Sequence, residues 1–148
     1  MDTRKLTREE RASALDALRR CGIADDAVFQ RAVDECVLVP TLPKLSRVRG
    51  PRSAIAHAAL AARASGITLG RKIYIRSELF GAEGELERWL VVHEVAHVVQ
   101  YLRDGHLSFL TRYLAEYAAG MARGLKDYDA YLAISYEVEA RRVDAEAR

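Results

Sequence analysis

Between residues 86 and 102, apolar side chains fall on every side of a helical projection: Leu86, Trp89, Leu90, Val91, Val92, Val95, Ala96, Val98, Val99 and Leu102. A helix that is apolar all round is buried, so the pattern predicts a central helix over residues 86–104, stopped by Asp104-Gly105. Elsewhere the apolar positions are sparser and one-sided. Thr7-Arg8-Glu9-Glu10 reads as a capping box opening a helix to about Arg20, with Gly22 suited to a left-handed end. A second helix over residues 25–35, capped by the aspartates, turns Val28, Phe29, Ala32 and Val33 inward and completes a helical hairpin. Residues 37–51 read as irregular, because Pro40, Pro43 and Gly50-Pro51 interrupt regular hydrogen bonding. Ser53 then caps an alanine-rich helix over residues 54–64. Residues 67–76 (ITLGRKIYIR) carry the one strand signal, with Gly70-Arg71 as a turn or bulge giving a bent strand or small hairpin. Two further helices are predicted, over residues 107–123 and from Asp127 to near residue 148. The expected class is α+β, mainly helical, with a short strand or small sheet beside the central helix.

The central helix contains His93-Glu94-Val95-Ala96-His97, the HExxH arrangement. Residues four apart share a helical face, so His93 and His97 can present two imidazoles to one metal ion, with Glu94 in reach of a metal-bound water. Three fixed positions occur by accident in many helices, where they lie on a solvated face. Here the surrounding residues bury the helix. Each polar group left unpaired inside costs about 1–3 kcal/mol, and a metal supplies the missing partner. A catalytic zinc usually takes three protein ligands and keeps an open position. The last helix offers Glu137 and Glu139, about 200° apart around the axis, so only one can face the ion. Periodicity leaves the choice open. Glu139 lies among Tyr128, Tyr131, Leu132, Ser135 and Tyr136, and Glu137 lies with Ala130, Ala133 and Asp144 on a narrow face. The other glutamate is expected to be solvated or paired with Arg141 or Arg142. His106 fits no ligand spacing, since the metzincin third position is Arg103, and His57 among alanines reads as a packed or surface residue.

HEVAH followed by a helical ExxA resembles the gluzincin metallopeptidases, whose third ligand is a glutamate on a later helix. The resemblance implies Glu137, 40 residues after His97, as that ligand. Arg141 stands where the family often has an acid supporting the site. The ordered set ITLGRKIYI, HEVAHVVQY and YEVEA, over about residues 64–145, resembles a small bacterial peptidase-like domain found in polymorphic toxins and in proteins linked to contractile injection systems. This implies a minimal zincin-like fold with His93, His97 and Glu137 holding one Zn2+ per chain and Glu94 as general base. It also implies an edge strand, for which Lys72 to Arg76 is the candidate, and a tyrosine such as Tyr131 or Tyr136 at the oxyanion. The expected organisation is a single domain over residues 1–148, with a helical hairpin and basic loop extension over 1–52 and a metallopeptidase core over 53–148.

Composition adds limits rather than identity. Half the residues are hydrophobic and 30% charged, ordinary for a soluble protein, and the net charge is +2. Charge is unevenly placed: residues 36–77 hold no acid and eight bases, while residues 78–148 hold 13 acids and eight bases. The two parts compensate each other, or the basic stretch meets an anionic partner. The first residues carry no apolar signal region and no apolar run reaches the ~20 residues of a membrane span, so the expected place is the cytoplasm, with leaderless export open. Cys21 and Cys36 read as reduced thiols. The leading expectation is a zinc metalloendopeptidase acting on a protein or peptide. The alternatives are a non-catalytic docking module of the same fold in a larger assembly and an anion-binding regulator working through residues 36–77.

Overall fold

The computed structural model describes residues 1–42 and 65–148. Among these, six helices and three strands follow in order: α1 Arg8–Cys21, α2 Asp26–Glu35, β1 Val37–Val39, β2 Gly66–Leu69, β3 Lys72–Ile75, α3 Arg88–Asp104, α4 His106–Ala122, α5 Asp127–Leu132 and α6 Ser135–Asp144. Single 3-10 turns stand at Ser77–Leu79 and Ala145–Ala147. The arrangement is α+β and mainly helical, as the pattern predicts. The expected helix over residues 54–64, its cap Ser53, His57 and the loop from Pro43 to Pro51 lie outside the described residues.

The hairpin α1–α2 forms where its end signals stand. Thr7 Oγ1 accepts from the Glu10 amide at 3.2 Å while Glu10 accepts from the Thr7 amide at 2.8 Å, and Gly22 closes α1 at φ 62°. The expected aspartate cap of α2 does not form. Asp25 makes no capping hydrogen bond, and Asp26 is held by Arg19 at 2.7 Å.

The sheet corrects two expectations. Val37–Val39, read as irregular, is a strand: the prolines that follow it end it but do not prevent it, and three residues are too few to show alternation. It pairs parallel with β3, Leu38 opposite Ile73, and its outer side takes Arg4, whose amide and carbonyl bond Leu38 at 3.0 and 2.8 Å. β2 and β3 form the hairpin predicted at Gly70-Arg71. Gly70 has φ 65°, and a Cβ there would stand 2.8 Å from the His106 ring, so only glycine fits the turn. The strand order is β1-β3-β2. The second correction follows: β3 is flanked on both sides and offers no free edge to a substrate, whereas β2 does among the described residues.

Helix α3 runs through the middle. Every residue from 90 to 101 is buried, because α1, α2, α4, α6 and the β2–β3 hairpin pack around it. One apolar cluster joins α1, α2, the sheet, α3 and α6, including Leu18, Phe29, Ile73, Val92 and Val143. A second, aromatic one joins Tyr101, Phe109, Tyr113, Ile134 and Tyr136. The last predicted helix is broken in two. Ile134, fully buried, takes an extended conformation at φ −60° and ψ 128°. The new start at Ser135 is held by Glu116 of α4, which accepts from the Ser135 amide at 2.6 Å and its hydroxyl at 2.8 Å. The break lets α5 turn back against α4, where Ala130 meets Gly120 so closely that a Cβ would lie 3.0 Å away.

Candidate metal centre

Two turns of α3 carry His93, Glu94 and His97 past the start of α6, which carries Glu137. All four are buried, at 9, 4, 5 and 3% exposure. The imidazoles stand edge to face with centroids 4.9 Å apart. His93 Nε2 lies 3.2 Å from Glu137 Oε2, and His97 Nε2 lies 3.3 Å from Glu137 Oε1. Among the described residues these three form the one group able to hold a metal ion, with ligand atoms within 4.8 Å of one another.

The remaining ring nitrogens decide which atoms are free. His93 Nδ1 is 2.8 Å from Asp144 Oδ2, an acceptor, so Nδ1 carries a proton and Nε2 is the nitrogen turned to Glu137. His97 Nδ1 is 2.7 Å from Gln100 Oε1. The amide orientation is fixed because Gln100 Nε2 donates to the Tyr136 carbonyl at 3.0 Å and to Glu139 at 2.9 Å. His97 therefore also carries a proton on Nδ1. Two Nε2 atoms and a carboxylate converge on one buried point, an arrangement that calls for positive charge, either protons on the imidazoles or a cation. At 3.2 and 3.3 Å the two imidazoles and the carboxylate pair with one another, and all three are close enough to share one metal ion.

The electrostatics of these side chains say the same. Burial would push the His93 pKa down, but hydrogen bonds to Asp144 and Glu137 outweigh it and hold it up at about 10. Burial likewise opposes the His97 imidazolium, and facing Glu137 raises it. For Glu137, burial would favour the neutral acid, yet His97 and His93 hold it well below the usual carboxylate range. Tyr113 and Tyr131 donate to Glu137 at 2.8 and 3.1 Å. Burial first, then the nearby Glu137 charge, drives both phenols up.

Glu94 points past His93, His97 and Glu137. Its Oε2 accepts from Thr68 Oγ1 of β2 at 2.6 Å. Gly66 permits this approach, since a Cβ would stand 3.0 Å from Glu94 Oε1. Beside them lies a cavity of about 20 Å³, lined by Glu94, His97, Tyr131, Glu137 and β2, room for one water. It adjoins a wider pocket of about 250 Å³.

The expected residues thus meet, with several corrections. Glu137 faces the histidines, and Glu139 faces away, paired with Arg103 at 2.8 Å rather than with Arg141 or Arg142. Tyr131 reaches the site, while Tyr136 donates to Asp104 at 2.9 Å instead. Position 141 is an arginine, and the acid that bonds His93 is instead Asp144, seven residues after Glu137 and hence on the same face. His106 lies outside the ligand group, packed on Tyr101. Asp144, Gln100, Thr68 and Tyr113 were not legible as site residues. Gln100 and Asp144 shared a face with the ligands, but nothing in the spacing said that they bond them.

Residues 43–105 match the family model of the eCIS core domain. The name denotes the extracellular contractile injection system. The matched stretch holds the β2–β3 hairpin and the whole HExxH helix, and it ends before α4, so Glu137 and Asp144 lie beyond it. No curated protein and no solved structure matches the chain. Of the bases in residues 36–77, Lys44, Arg47, Arg49, Arg52 and Arg63 lie outside the described residues, and Arg71 pairs with Glu35. Both cysteines are unpaired, and burial pushes the Cys36 thiol up to about 11. No helix among the described residues is long and apolar enough to cross a membrane.

Proposed function

We infer that this chain is a zinc-dependent, zincin-like peptidase domain that hydrolyses peptide bonds with a metal-activated water. One observation carries the reading: both histidines are anchored through Nδ1 and turn Nε2 onto Glu137, with Glu94 beside them at a water-sized cavity. Bound zinc supplies a Lewis acid that polarises a carbonyl and lowers the pKa of its water. His93, His97 and Glu137 would hold the ion, and Asp144 and Gln100 would keep the imidazoles in the ligating tautomer. Glu94 takes the proton of the attacking water and passes it to the leaving amine. Thr68 keeps the Glu94 carboxylate turned to the cavity. Tyr131 lines both cavities, and its hydroxyl, which donates to Glu137, is the candidate donor to a developing oxyanion once it turns from that carboxylate. An extended peptide finds its strand edge at β2, next to Glu94.

The match of residues 43–105 to the eCIS core domain favours a second reading, a non-catalytic docking module in a larger assembly. The two separate on one experiment. The zinc-loaded full chain is incubated with a diverse peptide mixture, and new termini are read by mass spectrometry. The peptidase reading predicts cleavage that Glu94→Gln lowers by at least about 100-fold with zinc retained. A zinc-loaded wild type that leaves every peptide intact contradicts it and leaves the docking module.

A further inference from the structure

The wider pocket beside the ligands has an unusual wall. Arg141 and Arg148 line it together with Trp89 and Tyr128, opposite His93, Glu94 and Glu137. Arg148 is already engaged: its Nε donates to Asp144 at 3.0 Å and its guanidinium lies 4.6 Å from the Trp89 ring centroid. Arg141 is not. Its guanidinium donates to the neutral Leu132 carbonyl, and among the described residues no carboxylate pairs with it, although it follows Glu137 by one helical turn. A guanidinium has five donors in a planar fork that matches a carboxylate in two parallel bonds. The Leu132 carbonyl takes a bond from one nitrogen of that fork where Arg141 lines the pocket, and Tyr128, exposed at 53%, adds an apolar side.

We propose that Arg141 is a specificity residue that receives a carboxylate of the peptide substrate next to the scissile bond, a reading that rests on the peptidase assignment. Arg141 stands four residues from Glu137, about 6 Å along the axis, and one extended peptide residue spans about 3.3–3.6 Å. The carboxylate therefore belongs to a residue close to the bond cleaved, since Arg141 and Glu137 line one pocket. It comes from an Asp or Glu side chain or from the chain terminus. With the divalent ion in place the pocket is net positive, because the two guanidiniums already offset two of the carboxylates Glu94, Glu137 and Asp144.

Trp89 is the single tryptophan of the chain, so its fluorescence reports occupancy of this pocket without turnover. The test titrates the zinc-loaded full chain carrying Glu94→Gln with three short acetylated peptides. One has an internal Glu and an amidated end, one has Gln there instead, and the third is the Gln peptide with a free C-terminal carboxylate. The expected result is at least about tenfold tighter binding of a carboxylate peptide than of the neutral one, about 1.4 kcal/mol. Which carboxylate peptide gains identifies the source. Arg141→Gln removes the preference, and Arg141→Lys, which keeps the charge and the fold if Gln does not, retains part of it. Equal binding of all three peptides, no binding at all, or a preference that survives Arg141→Gln overturns the proposal. Cleavage without carboxylate preference overturns it while leaving the peptidase reading. Carboxylate binding through Arg141 in a chain that never hydrolyses a peptide overturns the peptidase reading instead.

Discussion

Asp144→Asn tests whether the imidazole anchors make the metal site. Asp144 is 2% exposed and its two oxygens are divided, Oδ2 taking the His93 Nδ1 proton at 2.8 Å and Oδ1 the Arg148 Nε proton at 3.0 Å. Asparagine fills the same space with one oxygen and one NH2. If its oxygen stays with Arg148, the amide nitrogen faces His93, forces the proton from Nδ1 to Nε2 and blocks the ligand atom. If it turns the other way, His93 keeps its tautomer but loses a charged acceptor for a neutral one. Bonds to charged groups are worth about 1.5–3 kcal/mol against about 1 kcal/mol for neutral ones, so the milder outcome costs about 0.5–2 kcal/mol. Changing such a supporting partner typically weakens metal binding by about 10–100-fold. A zinc Kd measured by competition against a chromophoric chelator should rise by that factor, with helix content unchanged by circular dichroism. A folded variant whose Kd stays within about twofold of wild type refutes the reasoning.

Further outcomes follow from the neighbouring contacts. Thr68→Val removes the 2.6 Å bond to Glu94 but touches no ligand, so zinc stoichiometry stays unchanged while kcat falls by about tenfold; loss of zinc would show a different role. Glu116→Gln loosens the start of α6, costing about 0.5–2 kcal/mol, the range for a lost cap, read by urea unfolding at pH 7. Burial would raise the Glu116 pKa, but its bonds to Ser135 and Arg112 outweigh that and lower it. The folded state then binds fewer protons than the unfolded one just below pH 4.5, so its contribution is complete above that pH and is lost as pH falls below it through the lowered folded pKa. The gap between wild type and variant should close in acid, and a gap independent of pH would contradict the sign.

The parts legible in the sequence were those set by local pattern. Unbroken apolarity marked α3 as central, Thr7, Glu10 and Gly22 marked the ends of α1, and Gly70-Arg71 marked the hairpin. Helical spacing brought His93 and His97 together, and resemblance, not periodicity, chose Glu137. What stayed hidden was set by tertiary contact. β1 is three residues long and exists because β3 and Arg4 flank it. The break at Ile134 depends on Glu116, 19 residues earlier, reaching the Ser135 amide. Asp144 and Gln100 acquire their roles only when α3 and α6 pack, and Thr68 only when β2 lies against α3. Arg141, which looked like the loss of a supporting acid, instead lines the pocket beside the ligands.

The most direct test of the central claim is metal content by elemental analysis of the purified full chain, wild type beside His93→Ala, Glu137→Gln and Glu139→Gln. The geometry predicts about one zinc per chain in wild type and in Glu139→Gln, and little in the other two. No metal in the wild type even after zinc is supplied, or loss with Glu139→Gln but not with Glu137→Gln, would contradict it.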